Sequence, residues 1–332
     1  MKRAIRITAI IIALLVMALV IFWYGRPEDV NFEEARAALS NSAYSRFVVL
    51  DGVRVHYQDK GNGTPLVLIH GYTASTYAWK DVFEPLAQQY HVVAIDLKGF
   101  GFSGKPDGDY TRRAQSGLVI KLMNHLNIDR AIVCGNSMGG EVSLNVARYH
   151  PERVRALILV DSAGVTVSNS TSVSPGFTQW PYVGPAVTAL ALTSDSLVRA
   201  GLKKSYFDDS KVTDEMVAAY YRPLKTRGGQ RAAFLARRQA SQQAIEPEIG
   251  KIRQPTLILW GAEDELIPVE AGRKLNSLIA GSRLVVLDNC GHVPQSENPD
   301  RFLREVASFI ATLTTPVIPA TGQAAGQTAG NP

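Results

Sequence analysis

The stretch Cys134-Gly-Asn-Ser-Met-Gly-Gly-Glu-Val142 decides the fold of this chain, because it places a serine in the pattern G-x-S-x-G. The preceding run Arg130-Ala-Ile-Val-Cys134 is apolar and of strand length, and residues 139–149 follow with helical periodicity. A serine on a sharp turn between a strand and a helix stands clear of the backbone, and glycines flank it because neighbouring elements pack against the turn. The context favours a nucleophilic Ser137 over a structural turn serine.

Apolar runs of strand length alternate with helical stretches on both sides of that turn. Strands are predicted at residues 66–70, 92–96, 131–134, 156–161, 256–260 and 283–287. Helices are predicted near residues 77–89, 112–126, 139–149, 269–279 and 299–313. The run Phe47-Val-Val-Leu-Asp-Gly-Val-Arg-Val-His-Tyr57 adds a β-hairpin around an Asp-Gly turn. This alternation predicts an α/β fold, with a mostly parallel eight-stranded sheet and helices on both faces.

The alternation stops in one central block and at both ends of the chain. Residues 165–250 contain helical segments without strand runs, which predicts a helical cap inserted over the carboxyl edge of the sheet. Residues 44–164 and 251–314 then form the core, and residues 26–43 form a connector. Residues 315–332 are small, polar and rich in Pro and Gly, a composition that predicts a disordered tail.

A serine hydroxyl needs a base to take its proton, and histidine is the usual one. Of the six histidines, His292 follows a late strand in the glycine-flanked loop Asn289-Cys-Gly-His-Val-Pro294. Four other histidines lie in the hairpin, at a strand start and at two helix ends: His56, His91, His125 and His150. We assign these four to the surface or to packing. His292 is therefore the predicted general base.

Two aspartates are candidates for the acid that orients this histidine. Asp264, in Trp260-Gly-Ala-Glu-Asp-Glu-Leu-Ile-Pro268, follows the strand after the central block. Asp161, in Leu159-Val-Asp-Ser-Ala-Gly164, follows the strand before it. Both lie at the carboxyl ends of strands, where sheets of this kind gather their functional groups. Asp264 keeps the chain order serine, acid, histidine, so it is the predicted acid, with Asp161 as a residue at the cap entry.

An oxyanion at the attacked carbonyl needs two backbone N–H donors. One comes from the residue after the nucleophile and the other from the loop after the third strand. In this sequence the donors are Met138 and Tyr72, the latter in Leu68-Ile-His-Gly-Tyr72. The alternative is that His70-Gly71 is only a turn that ends a strand.

Composition and motifs argue against several other classes of site. The 332 residues are 46% apolar with a net charge of +5, and no nucleic-acid-binding pattern is present. The run Gly99-Phe-Gly-Phe-Ser-Gly104 matches G-x-G-x-x-G, but the loop Lys105-Pro-Asp-Gly-Asp109 follows it. A dinucleotide site requires a helix there and an acidic residue about 20 positions on. With no HExxH or P-loop pattern either, we expect no cofactor and no metal.

Cys134 and Cys290 both lie near the predicted site. Their strands are expected to be three steps apart, which is roughly 14 Å at a strand spacing of ~4.8 Å. Bridged Cα atoms lie within about 7 Å of each other. The sequence therefore predicts two free, buried thiols.

The N-terminal residues have the pattern of a membrane anchor. Met1-Lys-Arg-Ala-Ile-Arg6 carries three positive charges, and residues 7–25 carry none. As a helix, those residues cover roughly 28 Å, close to the ~30 Å hydrocarbon core. The bulky run Phe22-Trp-Tyr24 stands where a signal peptidase would need small residues, which favours an uncleaved signal anchor over a cleaved signal peptide. We then expect a single-pass membrane protein whose remaining residues lie on the extracytoplasmic, periplasmic side.

The motifs together resemble the α/β-hydrolase superfamily over residues 44–312. The runs that carry the resemblance are His70-Gly-Tyr72, Asp96-Leu-Lys-Gly-Phe-Gly-Phe-Ser-Gly-Lys-Pro106, Gly135-Asn-Ser-Met-Gly-Gly140, Pro151-Glu-Arg-Val154, Trp260-Gly-Ala-Glu-Asp264 and Gly291-His292. Within the superfamily the chain resembles bacterial lipases and esterases and membrane-anchored monoacylglycerol lipases. The resemblance implies a serine hydrolase of carboxylic esters, acting on a small-molecule or lipid ester through an acyl-enzyme on Ser137.

Three other functions stay open. A meta-cleavage-type C–C bond hydrolase shares the same serine run, although those enzymes typically carry an aromatic residue after the catalytic histidine and Gly-Pro-Gly after His-Gly. Here Val293 and Thr73-Ala-Ser75 occupy those places. A cofactor-free perhydrolase and a non-catalytic α/β-hydrolase scaffold are the remaining alternatives.

Two segments of the predicted cap have open roles. Pro175-Gly-Phe-Thr-Gln-Trp-Pro-Tyr-Val-Gly-Pro185 is either a mobile lid or an ordinary loop. Between Arg222 and Arg238 there are six basic residues and no acidic one, which indicates a solvated face or a contact with anionic headgroups.

Overall fold

The computed structural model describes residues 2–167, 183–192 and 194–313. Within these residues the strands are β1 (Ser45–Leu50), β2 (Val53–Lys60), β3 (Pro65–Ile69), β4 (His91–Ile95), β5 (Ala131–Asn136), β6 (Val154–Val160), β7 (Thr256–Gly261) and β8 (Arg283–Leu287). They form one sheet in the order β1-β2-β4-β3-β5-β6-β7-β8. Strand β2 runs antiparallel to β1 and β4, and the other neighbouring pairs are parallel. The predicted α/β fold with a mostly parallel eight-stranded sheet is confirmed.

The predicted hairpin is formed by β1 and β2. Asp51 and Gly52 connect the two strands with φ of 48° and 77°. Positive φ at both central residues is the requirement of the two-residue turn whose twist matches that of the strands, and Asp-Gly meets it at low cost.

The helices follow the strands in the alternation that the sequence predicts. They are α1 (Lys2–Tyr24), α2 (Phe32–Ala35), α3 (Lys80–Ala87), α4 (Arg112–His125), α5 (Met138–Tyr149), α6 (Val183–Leu192), α7 (Asp195–Lys203), α8 (Asp214–Leu224), α9 (Arg227–Arg238), α10 (Glu246–Ile249), α11 (Val269–Leu278), α12 (Pro294–Glu297) and α13 (Pro299–Thr312). Short 3₁₀ segments lie at Arg36–Ala38, Ser42–Tyr44, Thr76–Trp79, Pro151–Arg153, Asp209–Lys211 and Ala240–Gln243.

Helices cover both faces of the sheet. Helices α3 and α13 pack on one face, and α4, α5 and α11 pack on the other. Successive side chains of a strand point to opposite faces, and β5 illustrates the result: Val133 joins one core cluster and Cys134 joins the other. Helices therefore exclude water from both faces of the sheet. Functional groups can be presented at the edges of the sheet and at the ends of its strands.

Helices α6 to α9 lie between β6 and β7, inside residues 165–250. Helices α7 and α8 and the segment between them contribute to a cluster of buried apolar residues, which we call the cap cluster: Tyr77, Val198, Leu202, Tyr206, Val212, Met216, Val217, Ala219, Leu224 and Val293. Tyr77 and Val293 belong to loops of the sheet, so the cluster joins the predicted cap to the core. Most of the segment 175–185 and all of the predicted tail 315–332 lie outside the described residues.

The prediction of a membrane anchor is wrong. Among the residues that the structure describes, no helix is long and apolar enough to span a membrane. Helix α1 includes Arg3 and Arg6 and ends at Tyr24. Only residues 7–21 separate these charges from the closing aromatic run, about 22 Å of helix against a hydrocarbon core of ~30 Å. The finding contradicts the single-pass anchor at residues 1–25 and the extracytoplasmic location inferred from it.

Candidate active site

Ser137 occupies a strained turn between β5 and α5. Its φ of 55° and ψ of −119° lie in a region that side chains other than glycine rarely adopt. The two glycines of the motif make the turn possible, because a Cβ on Gly135 would lie 2.2 Å from the carbonyl oxygen of Gly139. A Cβ on Gly139 would lie 2.1 Å from the carbonyl oxygen of Ile69. The side chain of Ser137 is thereby presented at the carboxyl end of β5.

Strand β6 and the loop that follows it hold this turn in place. The N–H of Ser137 donates to the carbonyl of Val160 at 2.9 Å, and the carbonyl of Ser137 accepts from the N–H of Ala163 at 3.0 Å. Ser137 is partly exposed, although the residues on either side of it are buried. The turn is thus fixed by β6 while its hydroxyl keeps access to a substrate.

His292 and Asp264 form the contact expected of a base and the acid that orients it. Nδ1 of His292 lies 2.6 Å from Oδ2 of Asp264, and both residues are buried. Oδ1 of Asp264 accepts the N–H groups of Leu266 at 2.8 Å and Ile267 at 3.0 Å. These hydrogen bonds fix the carboxyl group of Asp264 against Nδ1 of the ring, and Nε2 is the ring nitrogen that Asp264 does not contact.

Asn136 connects His292 to the nucleophile turn, a role that the sequence analysis did not assign. Its side-chain amide donates to the carbonyl of His292 at 3.0 Å and to the carbonyl of Val160 at 3.1 Å. Because Asn136 directly precedes Ser137, these bonds fix the base relative to the nucleophile. The asparagine in the G-N-S run was the available signal.

The second candidate acid, Asp161, is also brought to this place. Its Oδ1 accepts from the N–H of Gly261 at 2.9 Å. Asp161, Asp264 and His292 each have a polar atom, and these atoms lie within 4.8 Å of one another. Such a set can hold a metal ion, but Asp264 uses both of its oxygens in hydrogen bonds to His292 and to the backbone. The arrangement fits a catalytic triad better than a metal centre.

The two predicted oxyanion donors lie beside Ser137. A Cβ on Gly71 would be 3.2 Å from Cβ of Ser137, so the peptide that joins Gly71 to Tyr72 borders the nucleophile. Met138 is the first residue of α5, where a backbone N–H has no acceptor within the helix. The N–H groups of both predicted donors therefore belong to peptides next to the Ser137 turn.

His70 holds the oxyanion peptide in its orientation. Its Nε2 accepts from the N–H of Leu97 at 3.0 Å, so Nδ1 carries the proton and donates to the carbonyl of Gly71 at 2.7 Å. Complete burial lowers the pKa of His70 and keeps the ring neutral. In a trans peptide the N–H points away from the C=O, so the N–H of Tyr72 is directed to the opposite side from His70.

The glycine-rich loop that resembles a dinucleotide motif has a structural role. It wraps around Asp96, whose carboxylate accepts from the N–H of Phe102 at 2.8 Å and from that of Thr76 at 2.6 Å. A Cβ on Gly101 would lie 2.1 Å from Oδ2 of Asp96. His56, assigned from the sequence to the surface or to packing, is buried and lies 2.7 Å from Asp96. This buried pair could not be read from residues 40 positions apart in the chain.

Cys134 and Cys290 are free and buried, as the sequence predicts. Burial raises the pKa of both thiols well above the ordinary value, so neither is a thiolate at neutral pH.

The space above the site is bordered by the cap. Val293, next to the base, is 8% exposed and belongs to the cap cluster. The hydroxyl of Tyr72 donates to the carbonyl of Ala233 in α9 at 3.0 Å, and burial raises its pKa to about 12. Tyr72 is thereby hydrogen-bonded to α9, and Val293, beside His292, packs among apolar side chains.

Known proteins with related sequences or structures share this architecture. The α/β-hydrolase fold family matches residues 64–299. The chain is 32% identical over 291 residues to a 2-hydroxy-6-oxo-6-(2'-aminophenyl)hexa-2,4-dienoic acid hydrolase of Metapseudomonas resinovorans, covering 85% of this chain and 96% of that protein. It is 33% identical over 282 residues to a 2-hydroxy-6-oxo-2,4-heptadienoate hydrolase of Pseudomonas putida, covering 82% and 98%.

A solved structure of a bacterial membrane phospholipase A is also similar. It superposes with a TM-score of 0.70 at 28% identity, covering 94% of this chain and 99% of that one. The relatives thus differ in the bond that they break, while they agree in fold and in being hydrolases. This chain belongs to the α/β-hydrolase family and is a hydrolase.

Proposed function

We propose that this chain is a serine hydrolase that cleaves a carbon–carbon bond beside the ketone of a 2-hydroxy-6-oxo-dienoate. The observation that carries the proposal is the hydrogen-bonded His292–Asp264 pair, fastened through Asn136 to the strained turn of Ser137. The pair belongs to a chain that is 32–33% identical to hydrolases named for such dienoates, over more than four fifths of its length. The proposal deepens the family assignment and replaces the ester reaction as the first candidate.

The proposed reaction adds one water across the bond that is broken. Ser137 attacks the C6 ketone while His292 takes the hydroxyl proton, and the oxyanion binds the N–H groups of Tyr72 and Met138. The collapsing species is the 2-oxo tautomer of the substrate, in which the C2 hydroxyl proton has moved to C5. Its C5–C6 bond breaks, and the electron pair passes through the C3–C4 double bond to the C2 oxygen, which takes up the proton from His292. Water, deprotonated by His292, then hydrolyses the acyl group on Ser137 to a carboxylic acid.

A carboxylic ester is the second candidate substrate, and one feature of the site favours it. Val293 follows the base where the C–C hydrolases are expected to carry an aromatic residue, and it lies in the apolar cap cluster. An apolar wall beside the nucleophile suits an acyl chain. The similarity to the phospholipase over 94% of this chain agrees with that alternative.

The nucleophile is tested by Ser137→Ala. Loss of the attacking oxygen should lower kcat by several orders of magnitude, as removal of a triad member does. The matched control is Ser116→Ala, because Ser116 is a buried serine of α4 whose hydroxyl donates to the carbonyl of Arg113. Full turnover by the Ser137 variant would contradict the assignment, and equal losses in both variants would point to folding.

The bond that is broken is tested with a substrate panel. The panel contains a 2-hydroxy-6-oxo-dienoate ring-fission product, p-nitrophenyl esters of graded chain length, and a monoacylglycerol. The proposal expects the dienoate to have the highest kcat/KM. A higher kcat/KM for an ester would move the assignment to an esterase, and a failure of Ser137 to react with a fluorophosphonate probe would identify a non-catalytic scaffold.

A further inference from the structure

Asp161 is a buried carboxyl group that the proposed mechanism does not use. It is 0% exposed, its Oδ1 accepts from the N–H of Gly261, and its Oδ2 has no hydrogen-bond partner at conventional geometry in the described part of the chain. The carboxyl group of Asp161 faces that of Asp264, and one polar atom of each aspartate lies within 4.8 Å of a ring nitrogen of His292. A buried carboxyl oxygen beside a second carboxyl group needs a proton to be satisfied.

The topology of the sheet explains why the two acids meet. Strands β6 and β7 are parallel neighbours, with Val160 paired to Leu259, and the N–H of Asp161 donates to the carbonyl of Leu259 at 3.0 Å. Asp161 therefore lies at the carboxyl edge one strand away from the loop that carries Asp264, a distance of ~4.8 Å between strands. Both acids can face the ring of His292, which follows the next strand.

Charges around the pair decide where the proton resides. Asp264 accepts two backbone N–H groups and the ring N–H of His292, which stabilise its negative charge. Asp161 faces the carboxylates of Asp264 and Glu297 and the thiol of Cys290. Burial first, and then the charge of Asp264, raise the pKa of Asp161 well above its ordinary value. Asp161 is thus the neutral member of the pair.

We propose that Asp161 is a second acid of the triad, held protonated against Asp264 in the native chain. In this role it is a positioning residue, because it donates a hydrogen bond to the carboxylate that orients His292. When Asp264 carries no charge, Asp161 loses its proton and takes over the orientation of the imidazolium. This inference rests on the proposed serine hydrolase function.

The test compares four proteins: the native chain, Asp161→Asn, Asp264→Asn and the double variant. The measurement is the rate at which a fluorophosphonate probe labels Ser137, which reports activation of the nucleophile whatever the natural substrate is. Asparagine suits the site because it tolerates the φ of 42° at Asp161 and can still donate to Asp264. We expect Asp161→Asn to lower the labelling rate by a factor at least tenfold larger when Asp264 is already Asn than when Asp264 is intact.

A structural role for Asp161 predicts a different result. In that case Asp161→Asn would lower the rate by the same factor in both backgrounds, and that outcome would overturn the inference. Glu297→Gln is the matched control, because Glu297 also faces Asp161 but accepts from the N–H groups of Gly291 and Asp208. Where Asp264 is Asn, this control should not lower the rate further than it does in the native background, because it removes a charge that opposes the ionisation of Asp161. If the asparagine variant fails to fold, Asp161→Gly removes the carboxyl group at a φ that glycine also tolerates.

The pH dependence supplies a second readout. With Asp264 replaced, Asp161 still faces Glu297 and Cys290 but no longer faces the charge of Asp264, so its proton is lost at lower pH than in the native chain and the labelling rate should rise as that proton leaves. The rise should be absent from the double variant, which has no carboxyl group at either position. Labelling of the Ser137→Ala protein, or none of the native protein, would instead refute the proposed function, so the two failures are distinguishable.

Discussion

At the scale of single residues, the room around the nucleophile turn determines which substitutions it tolerates. A methyl group on Gly139 would lie 2.1 Å from the carbonyl oxygen of Ile69 and 2.6 Å from that of His70. Both atoms belong to the backbone that carries the oxyanion peptide, so they cannot move aside without displacing Tyr72. We expect Gly139→Ala to lower the free energy of unfolding by about 1–3 kcal/mol and to lower kcat, measured by urea denaturation and steady-state kinetics.

Gly117→Ala is the control for this prediction. Gly117 lies in α4, and a Cβ there would have no heavy atom within 4 Å. Alanine at an unobstructed helical position should raise the free energy of unfolding by about 0.5–1 kcal/mol. If Gly139→Ala were as stable and as active as this control, the steric account of the turn would be wrong.

At the scale of elements, two Asp–His pairs connect β2 with β4 or its following loop, and they differ in burial. Asp96 and His56 are almost fully buried, whereas Asp59 and His91 are about one quarter exposed. Asp96→Asn removes the charge from the buried pair and should cost about 3 kcal/mol or more. Asp59→Asn should cost less than ~1 kcal/mol, because water screens the exposed pair. Equal costs in urea denaturation would contradict the explanation by burial.

The same pair predicts a dependence on pH. Burial would raise the pKa of Asp96, but the contact with His56 and the hydrogen bonds outweigh burial and lower it. A carboxyl group whose pKa is lower in the folded state than in the unfolded state stabilises the fold at pH values above the ordinary carboxyl pKa. This stabilisation is lost as the pH falls through the folded-state pKa. The difference in unfolding free energy between the native chain and Asp96→Asn should therefore be largest near neutral pH and shrink below about pH 4. A difference that grows in acid would refute this sign.

The elements that the sequence could predict are those whose signal is local. Helix α5 and strand β5 follow from periodicity around the G-x-S-x-G run, with bounds displaced by one or two residues. Strand β6 begins at Val154, two residues before the prediction, because Val154 pairs with Ala131 across a register shift. Such pairing depends on the partner strand and not on the local pattern.

Contacts between distant segments could not be predicted from the sequence, for the same reason. Ser137, Asp264 and His292 could be named because each lies in a motif at a strand end, and chain order ranked the two acids. That Asp161 would touch Asp264 depends on β6 and β7 being neighbours in the sheet. The anchor prediction was made from the charge-free run 7–25, whereas no helix of the described residues is long and apolar enough to span a membrane.

At the scale of the whole molecule, residues 27–29 of the predicted connector contact both helix α9 of the predicted cap and the glycine-rich loop of the sheet. The carbonyls of Pro27 and Glu28 accept from the N–H groups of Arg227 at 3.0 Å and Gly228 at 2.9 Å, at the start of α9. The next residue, Asp29, pairs with Lys105, which also donates to carbonyls of the glycine-rich loop. One short segment therefore contacts both the cap and the loop that wraps around Asp96.

Asp29→Asn tests whether this segment couples the two parts. The side chain of Lys105 is 2% exposed. Replacing the carboxylate of Asp29 by an amide therefore leaves the buried ammonium group of Lys105 with only carbonyl acceptors. We expect a loss of about 1.5–3 kcal/mol in the free energy of unfolding, the range of a hydrogen bond to a charged group. Glu33→Gln is the control, because Glu33 makes an exposed 3.7 Å pair with Arg36, worth at most ~1 kcal/mol.

Since Asp29 lies between the cap contacts and the core contacts, its replacement should also make α9 more sensitive to limited proteolysis. Unchanged cleavage of α9 in a destabilised Asp29 variant would show that the connector stabilises the core alone.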